Sequence, residues 1–156
     1  MPLTVGQDAP LFKLPSTEGN KFNLSEVREP LILFFYPKDF TPGCTKEACS
    51  FRDNFDFFKN LKIKVVGIST DSISKHIKFK EAHGLPFPLL SDATGKVCKL
   101  YKAHVPLLNI AKRTTYLIDA QKKIAASYND LLGAGKHIKT MIEKVKKSNP
   151  TDDRLP

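Results

Sequence analysis

Two cysteines, Cys44 and Cys49, stand five positions apart in the stretch "YPKDFTPGCTKEACSF", Tyr36 to Phe51. A zinc site or a CxxC redox motif would place two residues between its cysteines; here there are four. Thr41-Pro42-Gly43-Cys44 reads as a helix start, with Thr41 at the N-cap and Pro42 at the first helical position, where its missing N–H costs nothing. Cys44 then falls in the first turn, facing unpaired backbone N–H groups and the positive end of the helix dipole. Both favour a thiolate, the nucleophilic form of cysteine. The apolar stripe of this helix runs Cys44, Ala48, Phe51, Phe55, Phe58, which turns Cys44 inward and leaves Cys49 off the stripe. Five helical steps turn about 140° and separate the Cα atoms by about 8–9 Å. A disulfide needs Cα atoms closer than about 7 Å. These are therefore either two unrelated thiols or a pair whose bonding is coupled to local unwinding.

The elements that must hold this stretch can be read on either side of it. Lys21–Leu24 and the region of Phe12 flank the turn signal "STEGN" and suggest a small N-terminal hairpin. "LILFFY", Leu31 to Tyr36, is a continuous apolar run that fits a strand buried on both faces. A helical period follows from Pro42 to Asn60, then a strand over Lys62–Thr70. The next helix, capped by Asp71 or Ser72, runs to about His83. After the proline-containing "LPFPLLSD" and a helical "GKVCKLYKAH", Thr114–Asp119 and Lys123–Asn129 read as a hairpin. An amphipathic helix with Ile138, Met141, Ile142 and Val145 on one face closes the pattern. The order implies an α/β fold, a mixed central sheet flanked by helices. It is expected to be a single domain over 1–148, followed by a frayed polar tail over 149–156.

Composition narrows the function classes. The chain has 156 residues, 41% hydrophobic and 26% charged, with three cysteines. This suits a globular domain that needs no disulfide scaffold. The sequence shows no signal-peptide pattern and no apolar run long enough to span a membrane, so a cytoplasmic location is expected, with no membrane association. In a reducing compartment a close cysteine pair is more often catalytic than structural. The formal charge of +9 raises nucleic acid as a partner. The lysines are scattered, however, and no basic run carries interleaved aromatics, so a solvated lysine-rich surface is the expectation. His76, His83, His104 and His137 show no metal spacing. "GAGK" at Gly133–Lys136 fails as a phosphate loop, because Asp130 and His137 stand where a glycine and a Ser or Thr are needed.

"PKDFTPGC" also fits P-x-x-x-T-x-x-C, with Pro37, Thr41 and Cys44 at the fixed positions. This resembles the peroxidatic motif of the peroxiredoxins. The wider string "FYPKDFTPGCTKEACSFRD" resembles their Q-type (bacterioferritin comigratory protein) branch. "VGQDAPLFKLPSTEG", "VVGISTDS" and "RTTYLID" extend the likeness over most of the chain. The resemblance implies a thioredoxin-like fold and a thiol peroxidase that reduces hydrogen peroxide and organic hydroperoxides. Cys44 would be the peroxidatic nucleophile. Thr41 would hydrogen-bond the thiolate and the peroxide, Pro37 would wall the pocket, and Arg113 would stabilise the thiolate and polarise the O–O bond. Cys49 would resolve the sulfenic acid as an intramolecular disulfide, recycled by thioredoxin or a similar dithiol. The enzyme would act as a monomer with no metal or organic cofactor.

The rival readings are specific. If Cys49 were incidental, the enzyme would be a one-cysteine peroxiredoxin resolved by an external thiol. A redox-switched chaperone or nucleic-acid-binding protein would rest on the basic charge alone. Cys98 is expected to be a packing residue. Residues 102–112, "KAHVPLLNIAK", lack the glycines expected before the arginine block and depart from the family pattern.

Overall fold

The computed structural model describes residues 2–129; the expected C-terminal helix, the tail and the domain limit at 148 lie outside them. Strands β1 (Lys13–Pro15) and β2 (Lys21–Asn23) pair antiparallel around the anticipated turn. The remaining elements are β3 (Leu31–Phe35), α1 (Pro42–Asp53), α2 (Phe55–Asn60), β4 (Lys64–Ser69), α3 (Ile73–His83), β5 (Leu89–Ser91), α4 (Lys96–Leu100), β6 (Thr114–Ile118) and β7 (Ile124–Asn129). The five-stranded sheet has the order β5-β4-β3-β6-β7. β3 runs parallel to β4 and antiparallel to β6, so the sheet is mixed.

β3 is central and buried at every position because alternate side chains feed two cores. Ile32, Phe34 and Tyr36 point into a cluster with Cys44, Phe51, Phe58 and Phe79 from the helices α1, α2 and α3. Leu31, Leu33 and Phe35 point the other way, into a cluster with Leu3, Phe12, Val97, Cys98 and Tyr101. Phe34 stacks on Phe51 with ring centroids 4.7 Å apart, which pins α1 over the sheet. Each such fully buried ring contributes about 2–3 kcal/mol. Gly67 of β4 lets this packing close: a Cβ there would meet Phe34 at 2.7 Å and Leu89 at 2.8 Å.

The helical run expected from Pro42 to Asn60 is two helices. It breaks at Asn54, whose side-chain amide donates to the Ser50 carbonyl at 2.9 Å, alongside its own backbone N–H. The ladder of α1 ends with that backbone bond, and the next turn opens with the Phe57 N–H on the Asn54 carbonyl at 3.2 Å. The break leaves Phe55 only half-buried while Phe58 re-enters the core. Helix α3 begins and ends as its sequence suggests. Ser72 accepts from the Lys75 N–H, and Gly84 closes the C-terminus in the left-handed region at φ 58°. Among the described residues no helix is long and apolar enough to cross a membrane.

Candidate active site

The loop leaving β3 crosses the C-terminal ends of β3 and β4 before entering α1. Thr41 takes the N-cap backbone conformation (φ −83°, ψ 149°), its carbonyl accepts from the Thr45 N–H at 2.9 Å, and Pro42 opens the helix. The hydroxyl of Thr41 makes no cap bond; it donates to the Lys38 carbonyl at 2.9 Å. The sequence placed the N-cap correctly but not its side-chain bond.

Cys44 lies in the first turn of α1, 1% exposed. Arg113, on the residue just before β6, reaches it across the sheet end. Its Nη2 donates toward Cys44 Sγ at 3.6 Å, and its Nη1 pairs with Glu47 Oε1 at 2.9 Å. Arg113 is itself buried, so both contacts are made out of bulk water. Gly43 leaves the guanidinium its space: a Cβ there would stand 2.9 Å from Arg113 Nη2. Burial pushes the carboxyl of Glu47 up to about 8, against the opposing pull of Arg113. Glu47 fixes the direction of the guanidinium, whose other nitrogen faces the sulfur. The sequence reading did not name Glu47. The signal was present, since Glu47 follows Cys44 by three residues and so shares its helix face.

Pro37 follows Tyr36 at the end of β3 and is half-buried. Cys49 is half-buried on the same uninterrupted helix as Cys44, and both thiols are free. Within that helix the two Cα atoms stand about 8–9 Å apart, beyond bonding reach. Thus Cys44 and Arg113 meet, Thr41 and Pro37 flank them in the chain, and Cys49 stands one and a half turns along. Cys98 is on the other face of the sheet, in the second core cluster. Burial and then the neighbouring Asp92 push its thiol far up, so it is not a reactive thiolate.

A second buried polar group lies under the same loop and was invisible to spacing. Asp39, between Pro37 and Thr41, accepts from the Tyr36 hydroxyl at 2.6 Å and meets His76 Nδ1 at 2.6 Å. His76 Nε2 stands 2.9 Å from the Leu90 carbonyl. Burial, and then Asp39, holds the Tyr36 phenol well above its ordinary range, so it remains a donor. Asp71 joins the group by accepting from the Asp39 N–H at 2.6 Å. Asp39, Asp71 and His76 thus converge, but their oxygens and ring nitrogens are engaged with protein donors and acceptors, including the Lys75 ammonium on Asp71.

Comparison with known proteins agrees with this geometry. The model of a family described as AhpC/TSA matches residues 5–127. Peroxiredoxin Q, chloroplastic, of Sedum lineare is 41% identical over 138 residues, 87% of this chain and 74% of that protein. Peroxiredoxin Bcp of Bacillus subtilis (strain 168) is 40% identical over 131 residues, 80% of this chain and 83% of that protein. The crystal structure of peroxidoxin BcpB from Mycobacterium tuberculosis superposes with a TM-score of 0.87 at 36% identity, covering 93% of this chain and 97% of that one. The chain therefore belongs to the AhpC/TSA family, as a peroxiredoxin-type thiol peroxidase of the Bcp/Q branch.

Proposed function

We propose that Cys44 is the peroxidatic cysteine of a hydroperoxide reductase that cycles through a Cys44–Cys49 disulfide. The thiolate of Cys44 attacks the terminal oxygen of ROOH; the O–O bond breaks, Cys44 becomes a sulfenic acid, and RO⁻ takes up a proton and leaves as ROH. The thiol of Cys49 then displaces the sulfenic oxygen, giving the disulfide and water. A thioredoxin-type dithiol reduces that disulfide by exchange, becoming a disulfide itself. The observation that carries the reading is the 3.6 Å approach of Arg113 Nη2 to Cys44 Sγ, with Glu47 anchoring the other nitrogen.

A reactive thiolate alone is insufficient. Moving a thiol pKa from about 8.5 to about 6 raises the thiolate fraction near neutrality roughly thirtyfold, about 2 kcal/mol of barrier. A less basic sulfur is also a weaker nucleophile. Most of the acceleration must come from donors that meet the charge developing as the O–O bond lengthens. Arg113 is one. Thr41 is the second, once its hydroxyl turns from the Lys38 carbonyl to the incoming peroxide. Pro37 supplies an apolar wall that cannot itself donate. The test is to expose reduced protein to one equivalent of peroxide and map its peptides by mass spectrometry. A crosslink between the peptides of Cys44 and Cys49 is the expected product; a sulfenic acid at Cys44 trapped only by added monothiol would instead establish the one-cysteine cycle.

A further inference from the structure

We propose that the buried Asp39–His76 pair, with Asp71, is a latch that sets how readily the loop before α1 releases Cys44 for resolution, and so divides the sulfenic acid between disulfide and over-oxidation. The inference rests on the Cys44–Cys49 cycle proposed above. Asp39 is 2% exposed and His76 is fully buried. The Leu90 carbonyl can only accept, so Nε2 of His76 carries a proton, and a second proton lies between Nδ1 and Asp39 Oδ2. Asp39 therefore joins the loop to α3 through His76, to β5 through the Leu90 carbonyl behind it, and to the end of β4 through Asp71. Asp71 is in turn held by the Ser69 hydroxyl and the Lys75 ammonium.

An opposing force sits one residue further on. Phe40 has φ 64°, a left-handed conformation that is costly for an aromatic residue, and its ring is half-exposed against Phe79 with centroids 5.2 Å apart. Strain of this kind persists only where the surroundings over-determine it, and the residue before it, Asp39, is fixed by Tyr36, His76 and Asp71. Phe40 lies between Asp39 and the N-cap Thr41, so a motion that unwinds the first turns of α1 and carries the loop with it must pull on Asp39. While the latch holds, a sulfenic acid at Cys44 stays in the pocket, where a second hydroperoxide can oxidise it: Cys44–SOH and ROOH give Cys44–SO₂H and ROH. When the latch opens, Cys49 can reach the sulfur. Asp39 and His76 are thus positioning residues that act through the loop and touch neither peroxide nor sulfur.

The experiment treats wild type, Asp39→Asn and Asp71→Asn with increasing hydrogen peroxide in the presence of reductant. Mass spectrometry reads the ratio of Cys44–Cys49 disulfide to Cys44 sulfinic acid. Loss of the charged partner is expected to raise that ratio about tenfold in Asp39→Asn, and by less in Asp71→Asn. A ratio unchanged in both variants overturns the latch, including the case where only the melting temperature falls, because a purely structural role moves stability and not the partition. Should Asp39→Asn fail to fold, Asp71→Asn decides the question with the same readout. Failure of wild type to form the 44–49 disulfide at all overturns the underlying cycle and the latch together, which separates that failure from failure of the latch alone.

Discussion

At the scale of single residues, the arrangement depends on how closely a guanidinium can approach a sulfur. Arg113 passes over the helix start at Gly43, where a Cβ would lie 2.9 Å from its Nη2. Gly43→Ala should fold normally, since the clash is with the far end of a side chain and alanine is the better helix former by up to about 1 kcal/mol. The methyl group should nevertheless push the guanidinium off Cys44. Stopped-flow measurement of peroxide consumption in the first turnover is expected to show a loss of about tenfold or more, the order lost when an aimed donor is displaced. The meeting of Cys44 with Arg113 was legible because a local motif marks Cys44, and because the block "RTTYLID", at a strand boundary, resembles the family's. Glu47 was legible in principle from its place on the helix face. Asp39 and His76 were not, because they are 37 residues apart and only the packing of α3 against the loop unites them.

At the scale of the element, α1 must satisfy two demands. Folded, it keeps Cys44 buried and against Arg113; opened over its first turns, it lets Cys49 reach the oxidised sulfur. Stabilising the helix around the two cysteines should therefore slow resolution without touching the peroxide contacts. Thr45→Ala with Ser50→Ala gains roughly 1 kcal/mol of helix propensity. That predicts disulfide formation slower by about fivefold, followed by quenched-flow and mass spectrometry after a peroxide pulse. An unchanged rate would mean that the turns between the cysteines stay closed during resolution. The period of the apolar stripe announced the helix and its inward face. The break at Asn54 was missed because the apolar stripe continues in register through α2, while the helical ladder of α1 ends at the Asn54 N–H.

At the scale of the molecule, the alternation of strands and helices announced a mixed sheet but not its order; that order sets β6 beside β3 and brings residues 66 positions apart, Glu47 and Arg113, to one end of β3. The continuous apolar run of β3 told that both faces are buried, but not which helix covers which face; that is decided by aromatic packing such as Phe34 on Phe51. The site also leaves a mark on global stability. The Glu47 carboxyl is raised from 4.5 to about 8 in the folded chain, chiefly by burial. Between these values the folded state holds a proton that the unfolded state lacks, so this contribution is complete below the unfolded value and is lost as pH rises toward the folded one. Stability against urea should fall across roughly pH 5 to 8 by up to about 1.4 kcal/mol per pH unit. In Glu47→Gln that component should vanish, leaving a flatter profile. A parallel slope in the two proteins would show that Glu47 stays ionised beside Arg113.

The central claim is that Cys44, under Arg113, carries the reaction with peroxide. It is tested most directly by mixing reduced protein with a small excess of hydrogen peroxide, without reductant, and following peroxide loss in wild type, Cys49→Ser and Cys44→Ser. The account predicts rapid loss of one equivalent in the first two and only the uncatalysed rate in Cys44→Ser. Consumption by Cys44→Ser at the wild-type rate would contradict it.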